Sequence, residues 1–232
     1  MILRPALVSL LLAAVVTAGS TAAAVPDSTE RMRAVDRLVR AARAHDDAAM
    51  WASLSRVSKR RLGPTLPDFR IRGARGVRDG VAPFVRSPYR AIVNVGFTWN
   101  RSLGLVAISG GSEHGAFAVP VRREHGVWKV EIDPTFTVEA VRPLPGDRVL
   151  RRTQLFAEVA APHMIDGATM WLDGLPFVEA RQYWSRDQKH MSIWGEAPQP
   201  LRAGRHTVVA FAGTRREAAA NAWVFTVAAR RP

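Results

Sequence analysis

Short apolar segments separated by turn-forming residues fill the chain from residue 89 onward, and they constrain the fold more than any other feature. In one of them, Trp128, Val130 and Ile132 alternate with Lys129 and Glu131. Since successive side chains of a strand point to opposite faces, this alternation predicts strands with one face in a core. We predict strands at 91–99, 103–109, 116–123, 127–133, 154–160, 168–173, 177–184, 190–194, 205–212 and 222–228.

The residues before 89 have a helical pattern at their start. Asp27 with Glu30 three residues later has the spacing of a capping box, which predicts a helix beginning at Asp27. Apolar side chains then recur at helical spacing: Met32, Val35, Leu38, Val39 and Ala42. A second, short helix is predicted to carry Trp51 and Leu54.

A break rich in proline and charge separates two patterned regions. It contains Pro143, Pro145 and Gly146 and continues into four charged residues, which is typical of a domain boundary. The sequence therefore predicts a leader at 1–24, a first domain at 25–143, a linker at 144–150 and a second domain at 151–232.

The first region carries two features of a known superfamily. They are the helical run at 41–54, with Asp46 and Trp51, and the strand Gly126-Val127-Trp128-Lys129-Val130. With these features the region 27–143 resembles the nuclear transport factor 2-like, cystatin-like cone superfamily. The resemblance implies a curved antiparallel sheet wrapped around helices, with Trp128 beneath them. It does not imply a particular activity, because this fold serves enzymes, adaptors and noncatalytic modules alike.

The second region resembles bacterial immunoglobulin-like domains. The resemblance rests on Leu201-x-x-Gly204-x-His206-x-Val208, on Leu172-Asp173-Gly174 and on the closing run at 223–227, and it covers about 150–230. Without a cysteine pair, Trp223, Phe225 and Val227 must supply the core. The two resemblances predict an α+β cone-like domain, with helices packed on a curved antiparallel sheet, followed by an all-β immunoglobulin-like sandwich.

The first 24 residues have the layout of a secretory signal peptide. Arg4 precedes an apolar stretch at 6–16, and small residues lead to Ala22-Ala23-Ala24. We expect cleavage after Ala24 and a secreted, extracytoplasmic protein without a transmembrane segment; an uncleaved anchor is the alternative. The chain has no cysteine, so it has to be stabilised by packing alone.

No catalytic centre is predicted. Enzymes with the cone fold pair a carboxylate base with a hydrogen-bond donor in an apolar pocket. The first region offers these candidates: Asp46, Asp47, Asp68, Asp79, Asp133 and Tyr89. None of them matches a catalytic position, and Asp46 and Asp47 lie at a helix break, where solvated acids are common.

No metal site or cofactor is predicted either. The triplets Glu113-His114-Gly115 and Glu124-His125-Gly126 could suggest a metal. If one strand joins them, however, their histidines are about 36 Å apart at roughly 3.3 Å per residue. His206 fits a structural position in the strand pattern.

Positive charge is concentrated in one stretch. The chain has 33 Lys and Arg against 20 Asp and Glu, a net charge of +13, and 30 of the basic residues are Arg. Residues 63–88 are rich in Gly, Pro and Arg, with a short helix predicted at 81–85. Ten Arg and Lys lie between Arg56 and Arg90, against Asp68 and Asp79. The predicted anion-binding residues are Arg60, Arg61, Arg70, Arg72, Arg75 and Arg78.

The partners that fit such a stretch in an exported protein are anionic wall polymers, lipid headgroups or another envelope protein. Nucleic acid is disfavoured, since aromatic residues are not interleaved with the arginines. A solvated basic face that reflects arginine-rich coding is the structural alternative.

The tryptophans of the second region allow a different hypothesis, stacking on sugar rings, for Trp171, Trp184 and Trp194. For Trp171, whose side chain is predicted to face outward, we favour a structural role in which the other domain covers it.

These observations predict an exported, noncatalytic binding protein of the bacterial cell envelope that contacts an anionic polymer or lipid through the Arg-rich stretch. The alternative is a small-molecule enzyme or carrier that uses the pocket of the cone-like domain.

Overall fold

The computed structural model describes residues 24–110, 115–177, 181–197 and 199–229. The predicted leader, apart from Ala24, lies outside these residues, and so do Glu113 and His114. The described residues form five helices and thirteen strands. None of these helices has both the length and the apolarity that a membrane span requires.

Five helices precede the first strand: α1 (Ala24–Arg43), α2 (Asp47–Ser53), α3 (Arg56–Leu62), α4 (Leu66–Arg72) and α5 (Ala74–Val85). Side-chain oxygens of Asp46, Ser55 and Thr65 accept backbone N–H groups at the starts of α2, α3 and α4. The prediction of a helix start at Asp27 is wrong. That residue lies in the first turn of α1, where its carboxylate accepts from Trp128 Nε1 at 2.9 Å.

Helix α4 and the first part of α5 were not predicted, because Gly and Pro residues suggested a loop. Gly63 follows α3 with φ of +146°, and a Cβ there would lie 2.2 Å from the backbone nitrogen of Phe69. Glycine is therefore required where the chain turns from α3 into α4. Pro67 falls in the first turn of α4, where a missing N–H group costs nothing.

The first sheet is an antiparallel meander with the order β1-β2-β3-β4: β1 (Tyr89–Gly96), β2 (Leu103–Gly110), β3 (Ala116–Glu124) and β4 (Val127–Val130). One face packs against the helices. Trp128 lies in that core, 3% exposed, together with the fully buried Phe69 and Phe84. The prediction that Trp128 faces the helices is therefore confirmed.

The remaining strands form two further sheets. The central sheet has the order β6-β13-β12-β8-β9: β6 (Arg148–Val149), β13 (Ala218–Val227), β12 (Gly204–Gly213), β8 (Gly167–Leu172) and β9 (Leu175–Pro176). The outer sheet has the order β10-β11-β7-β5: β10 (Arg181–Trp184), β11 (His190–Glu196), β7 (Gln154–Ala160) and β5 (Thr137–Arg142). All pairs are antiparallel except β6 with β13.

Both faces of the central sheet are buried. In β12, Val208, Ala210 and Ala212 pack towards the outer sheet, whereas Val209 and Phe211 pack towards the first sheet. Because strand side chains alternate, one strand supplies two cores. The layers follow in the order helices, first sheet, central sheet, outer sheet.

The predicted fold class, a helix-on-sheet cone followed by an immunoglobulin-like sandwich, is wrong. The described chain is mostly β, with three sheets and five helices of which four are short. The prediction failed because it treated the two regions as separately packed. In the structure, Trp171 and Phe211 of the central sheet share a core with Leu105 of the first sheet.

Strand β5 connects the two predicted regions. It precedes residue 143 but pairs with β7, with Glu139 opposite Glu158. Whether residues 25–143 and 151–232 fold independently stays a prediction. The predicted linker at 144–150 contains β6, which pairs with β13 in the central sheet.

We predict that Phe211→Ala lowers the free energy of unfolding by about 3–5 kcal/mol, the range for large buried aromatic residues. Phe211 is 1% exposed and stacks on Phe97 with ring centroids 4.3 Å apart. Urea unfolding followed by fluorescence and circular dichroism measures the change, and both probes should report one transition. Ile71→Ala, at an 85% exposed position, is the control and should change the value by less than about 0.5 kcal/mol. A loss for Phe211→Ala below about 1 kcal/mol would contradict the shared core.

Candidate functional site

The six predicted anion-binding arginines lie on three consecutive helices. Arg60 and Arg61 are on α3, Arg70 and Arg72 on α4, and Arg75 and Arg78 on α5. The structure gives them three different environments, so they do not form one uniform patch.

Three of these arginines have carboxylate partners near the protein surface. Arg70 and Arg78 both contact Asp47 at the start of α2, Arg70 at 3.9 Å. Arg75 lies 3.7 Å from Asp79 one turn further along α5. The Arg78–Asp47 pair is partly buried, whereas the Arg75–Asp79 pair is exposed, and exposed pairs contribute about 0–1 kcal/mol, so an external anion can compete for Arg75.

Arg60 and Arg72 are exposed, and no ion pair involves either of them within the described residues. Between Arg70 and Arg72 lies Ile71, whose side chain is 85% exposed, the highest value among the large apolar residues found exposed in the described ranges. Sequence analysis did not identify Ile71, since its exposure depends on how α4 packs on α2 and α5. We name the surface of Arg70, Ile71, Arg72 and Arg75 the α4–α5 tip.

Arg61 has a structural role. Its guanidinium lies 3.6 Å from Asp133 Oδ2 and 3.5 Å from Glu217 Oε1, so it joins the first sheet region to the start of β13. The Asp133 side chain is fully buried, and its other oxygen accepts from the backbone and hydroxyl of Thr135. The Arg61 side chain is 37% exposed, but it faces two buried acids, so an external anion has to compete with both of them.

A second buried ion pair lies beside it. Arg122 forms a bidentate pair with Glu131, with Nη2 at 2.9 Å from Oε1, and that oxygen also accepts from the Ala218 backbone at 2.7 Å. Burial raises the pKa of Glu131, and the Arg122 guanidinium and the Ala218 amide oppose the rise. We name Arg61, Arg122, Glu131, Asp133 and Glu217 the junction cluster.

A cleft of about 340 Å³ opens next to the junction cluster. Its walls are the glycine-lined side of α5, part of β3, residues 131–136 and the first residues of β13. Arg72 also lines this cleft, as do Glu131 and Asp133. Arg122 holds Glu131 in this cleft, and Thr135 holds one oxygen of Asp133, while Asp133 Oδ2 is buried without a hydrogen-bond partner and has Arg61 at 3.6 Å.

Much of the space between the described helices and the first sheet is filled by Trp128, Phe69, Phe84 and Met50, all at most 3% exposed, and the cleft between α5 and β3 lies beside this packed core. Tyr89 donates to Asp36 at 2.9 Å, and burial together with this bond raises the pKa of Tyr89 to about 12. The hydroxyl is thus part of a contact between α1 and β1.

The histidine candidates have structural contacts. His206 Nδ1 lies 2.7 Å from Asp173 Oδ2, its Nε2 lies 2.8 Å from the carbonyl of Arg202, and its ring stacks on Phe225. The prediction of a structural His206 is confirmed. His125 contacts Arg56. Within the described ranges no three potential metal ligands form a group.

The three tryptophans considered for sugar stacking separate into two groups. Trp171 is 5% exposed and packs between the central and first sheets, so the prediction that the other region covers it is confirmed. Trp184 is 41% exposed and belongs to the outer sheet with Trp194.

Comparisons with known proteins do not assign the chain to a family. No family model matches the sequence, and no curated protein matches it. Solved structures similar to parts of the chain include an endo-β-1,4-mannanase from Thermotoga petrophila, at 12% identity over 40% of this chain and 20% of that chain, with a TM-score of 0.33. An engineered protein matches at 19% identity over 40% and 20%, with a TM-score of 0.29.

Dimeric latent PorU from Porphyromonas gingivalis matches at 15% identity over 59% of this chain and 15% of that chain, with a TM-score of 0.34. The chain thus spans 15–20% of the length of these structures. At such TM-scores the likenesses carry no argument about fold or function. The resemblances to the nuclear transport factor 2-like and immunoglobulin-like families stay predictions.

For the junction cluster, we predict that Arg122→Met lowers the free energy of unfolding by about 3–5 kcal/mol at pH 7, since it leaves Glu131 buried without its counter-charge. The loss relative to wild type should shrink as the pH falls towards the unfolded pKa of Glu131. A carboxyl whose folded pKa is raised stabilises the fold at low pH and loses that contribution as the pH rises through the folded pKa.

Denaturant titrations of the wild type and the variant at several pH values between about 5 and about 8 measure this loss in the free energy of unfolding. Adding Glu131→Gln to Arg122→Met should restore most of the loss at pH 7. Arg123→Met is the matched control, because that side chain is 52% exposed and lies 3.9 Å from its partner Asp27. A loss independent of pH and not rescued by Glu131→Gln would rule out the charge explanation.

Proposed function

We propose that the protein is a noncatalytic binding protein of the cell envelope that docks on an anionic lipid surface through the α4–α5 tip. Export is supported by the signal-peptide layout of residues 1–24. Docking is supported by one observation above all, the 85% exposed Ile71 flanked by Arg70 and Arg72.

An apolar side chain surrounded by arginines suits a lipid surface. The guanidinium groups meet headgroup phosphates, and Ile71 can enter the boundary between headgroups and acyl chains. A basic side chain near an anionic membrane contributes about 1 kcal/mol. With about 2 kcal/mol for burying Ile71, three arginines and this residue supply roughly 5 kcal/mol, enough for weak, reversible association.

The surrounding charge supports the same partner. Residues 24–90 contain 15 Arg and Lys against 7 Asp and Glu, so the helical layer carries most of the excess charge of the chain. This excess attracts an anionic surface over about a Debye length.

Lipid explains the α4–α5 tip better than an anionic wall polymer does. A polymer of phosphate or carboxylate groups would engage the arginines but has no apolar interior for Ile71. The two partners therefore differ in whether Ile71 contributes to binding, and the same experiment distinguishes them.

The proposal predicts that the protein cosediments with phosphatidylcholine vesicles only when they contain phosphatidylglycerol. Replacing Arg70, Arg72 and Arg75 together by Ser should remove most of this binding, and Ile71→Ser should weaken it about 30-fold. Raising NaCl from about 0.05 to about 0.5 M should release the protein, because the contacts are exposed and screened.

Leu175→Ser is the matched control, since Leu175 is an exposed apolar residue at 71% but lies in β9 at the edge of the central sheet. Its binding should equal that of wild type. Loss of binding in the arginine variant with no effect of Ile71→Ser would favour a wall polymer. Unchanged binding in both variants would remove the α4–α5 tip as the contact.

A further inference from the structure

The outer sheet has one covered face and one free face. In β7, Leu155, Ala157 and Val159 point into the core shared with the central sheet. Phe156 and Glu158 alternate with them on the other face, where no described element covers the sheet. The polar and aromatic side chains on that face are thus presented to solvent.

Four of these residues form a row across the sheet. Glu139 of β5 lies opposite Glu158 of β7, which lies opposite Ser192 of β11, and Ser192 lies opposite Tyr183 of β10. The neighbouring row contains Thr137, Ala160 and His190. Ser192 and Ala160, two small residues of the middle strands, leave a depression among the larger side chains.

This depression is a cleft of about 380 Å³, within the size range of small-ligand sites. We name it the outer-sheet cleft. Glu139 and Thr137 form one side, and Tyr183 and Trp184 form the other. Ser192 and Ala160 lie between them.

The aromatic side of the cleft is exposed and held in place. Tyr183 is 58% exposed and shares the free face with Glu158 through its cross-strand partner Ser192, whereas Trp184, 41% exposed, lies opposite the buried Met191 and so belongs to the other face. The Tyr183 ring lies nearly parallel to Trp194, at 10° and 6.0 Å between centroids, and Arg181 lies 5.2 Å from the centre of the Trp194 ring. The orientation of Tyr183 is therefore supported by its neighbours while its other surface stays accessible.

The acidic side has unused hydrogen-bonding capacity. Within the described ranges, no ion pair or side-chain hydrogen bond involves Glu139 or Glu158. Like charges directly opposite one another in a sheet are destabilising. In a chain with net charge +13, two adjacent carboxylates without a basic partner are a feature that stability alone does not explain.

We propose that the outer-sheet cleft binds a glycan. The C–H face of a pyranose ring stacks on Tyr183, and hydroxyl groups of the same sugar donate to Glu139 and Glu158. A sugar combines an apolar face with hydroxyl edges, so it complements both sides of the cleft. This site is independent of the α4–α5 tip, from which the first and central sheets separate it.

Isothermal titration calorimetry of the full chain with cellotetraose and with tri-N-acetylchitotriose tests the proposal. At least one of the two should bind saturably, and the affinity should change little between low and high salt, because the probes are uncharged. Tyr183→Ala and Glu158→Gln should each weaken binding about tenfold. Trp99→Ala and Glu196→Gln, a 47% exposed tryptophan and an exposed acid outside the cleft, should not.

One variant separates a binding role from a structural one. Glu139→Gln removes the like-charge pair, so it should raise the thermal midpoint by about 1–3 °C while it weakens glycan binding about tenfold. Vesicle binding should stay unchanged in every cleft variant. Absence of binding to both oligosaccharides overturns the proposal. Salt-sensitive binding of spermidine in the cleft, without binding of either sugar, also overturns it.

Discussion

The burial of both faces of the central sheet is the constraint on which the rest of the structure depends. Strand β12 contributes Val208, Ala210 and Ala212 to one core and Val209 and Phe211 to another, so the first sheet and the outer sheet are attached to the same strand. A chain without cysteine has no disulfide to join its parts, and this sheet replaces that connection by packing. The helices are attached in turn through Trp128 and the other face of the first sheet.

This layering also determines which surfaces are free for binding. With two sheets enclosed, the outward sides of the helices and of the outer sheet are the broad surfaces left to solvent. The α4–α5 tip belongs to the first and the outer-sheet cleft to the second. The arginines divide accordingly: Arg61 and Arg122 neutralise acids inside the junction, while Arg70, Arg72 and Arg75 remain outside.

Local patterns predicted much of the secondary structure but little of its assembly. Apolar segments between turn residues located ten of the strands, because these signals depend on neighbouring residues alone, and alternation correctly placed Trp128 and Val130 on the face opposite to Glu131. What covers Glu131 could not be predicted, since the Ala218 amide comes from a strand 87 residues away. Helix α4 was missed because the glycine and proline residues at its boundaries are typical of a loop. Strand β5 was missed because its partner β7 lies on the other side of the predicted linker.

The candidate site was predicted only in part for the same reason. Sequence identified the arginine stretch, but the partners of Arg61, Arg70 and Arg78 are distant in the chain, as with Arg61 and Glu217, 156 residues apart. Ile71 and the Glu139–Glu158 pair had no local signal, because exposure and cross-strand opposition arise only after the sheets are assembled.

Amide hydrogen exchange of the free protein tests the central claim most directly. If the central sheet joins the layers, the amides of β12 and β13 exchange only through global unfolding, with the same free energy as denaturant titration gives, and β2 and β3 share that value. Exchange of β12 and β13 at a clearly lower free energy, while β2 and β3 stay protected, would mean that the second region opens by itself and would contradict the account.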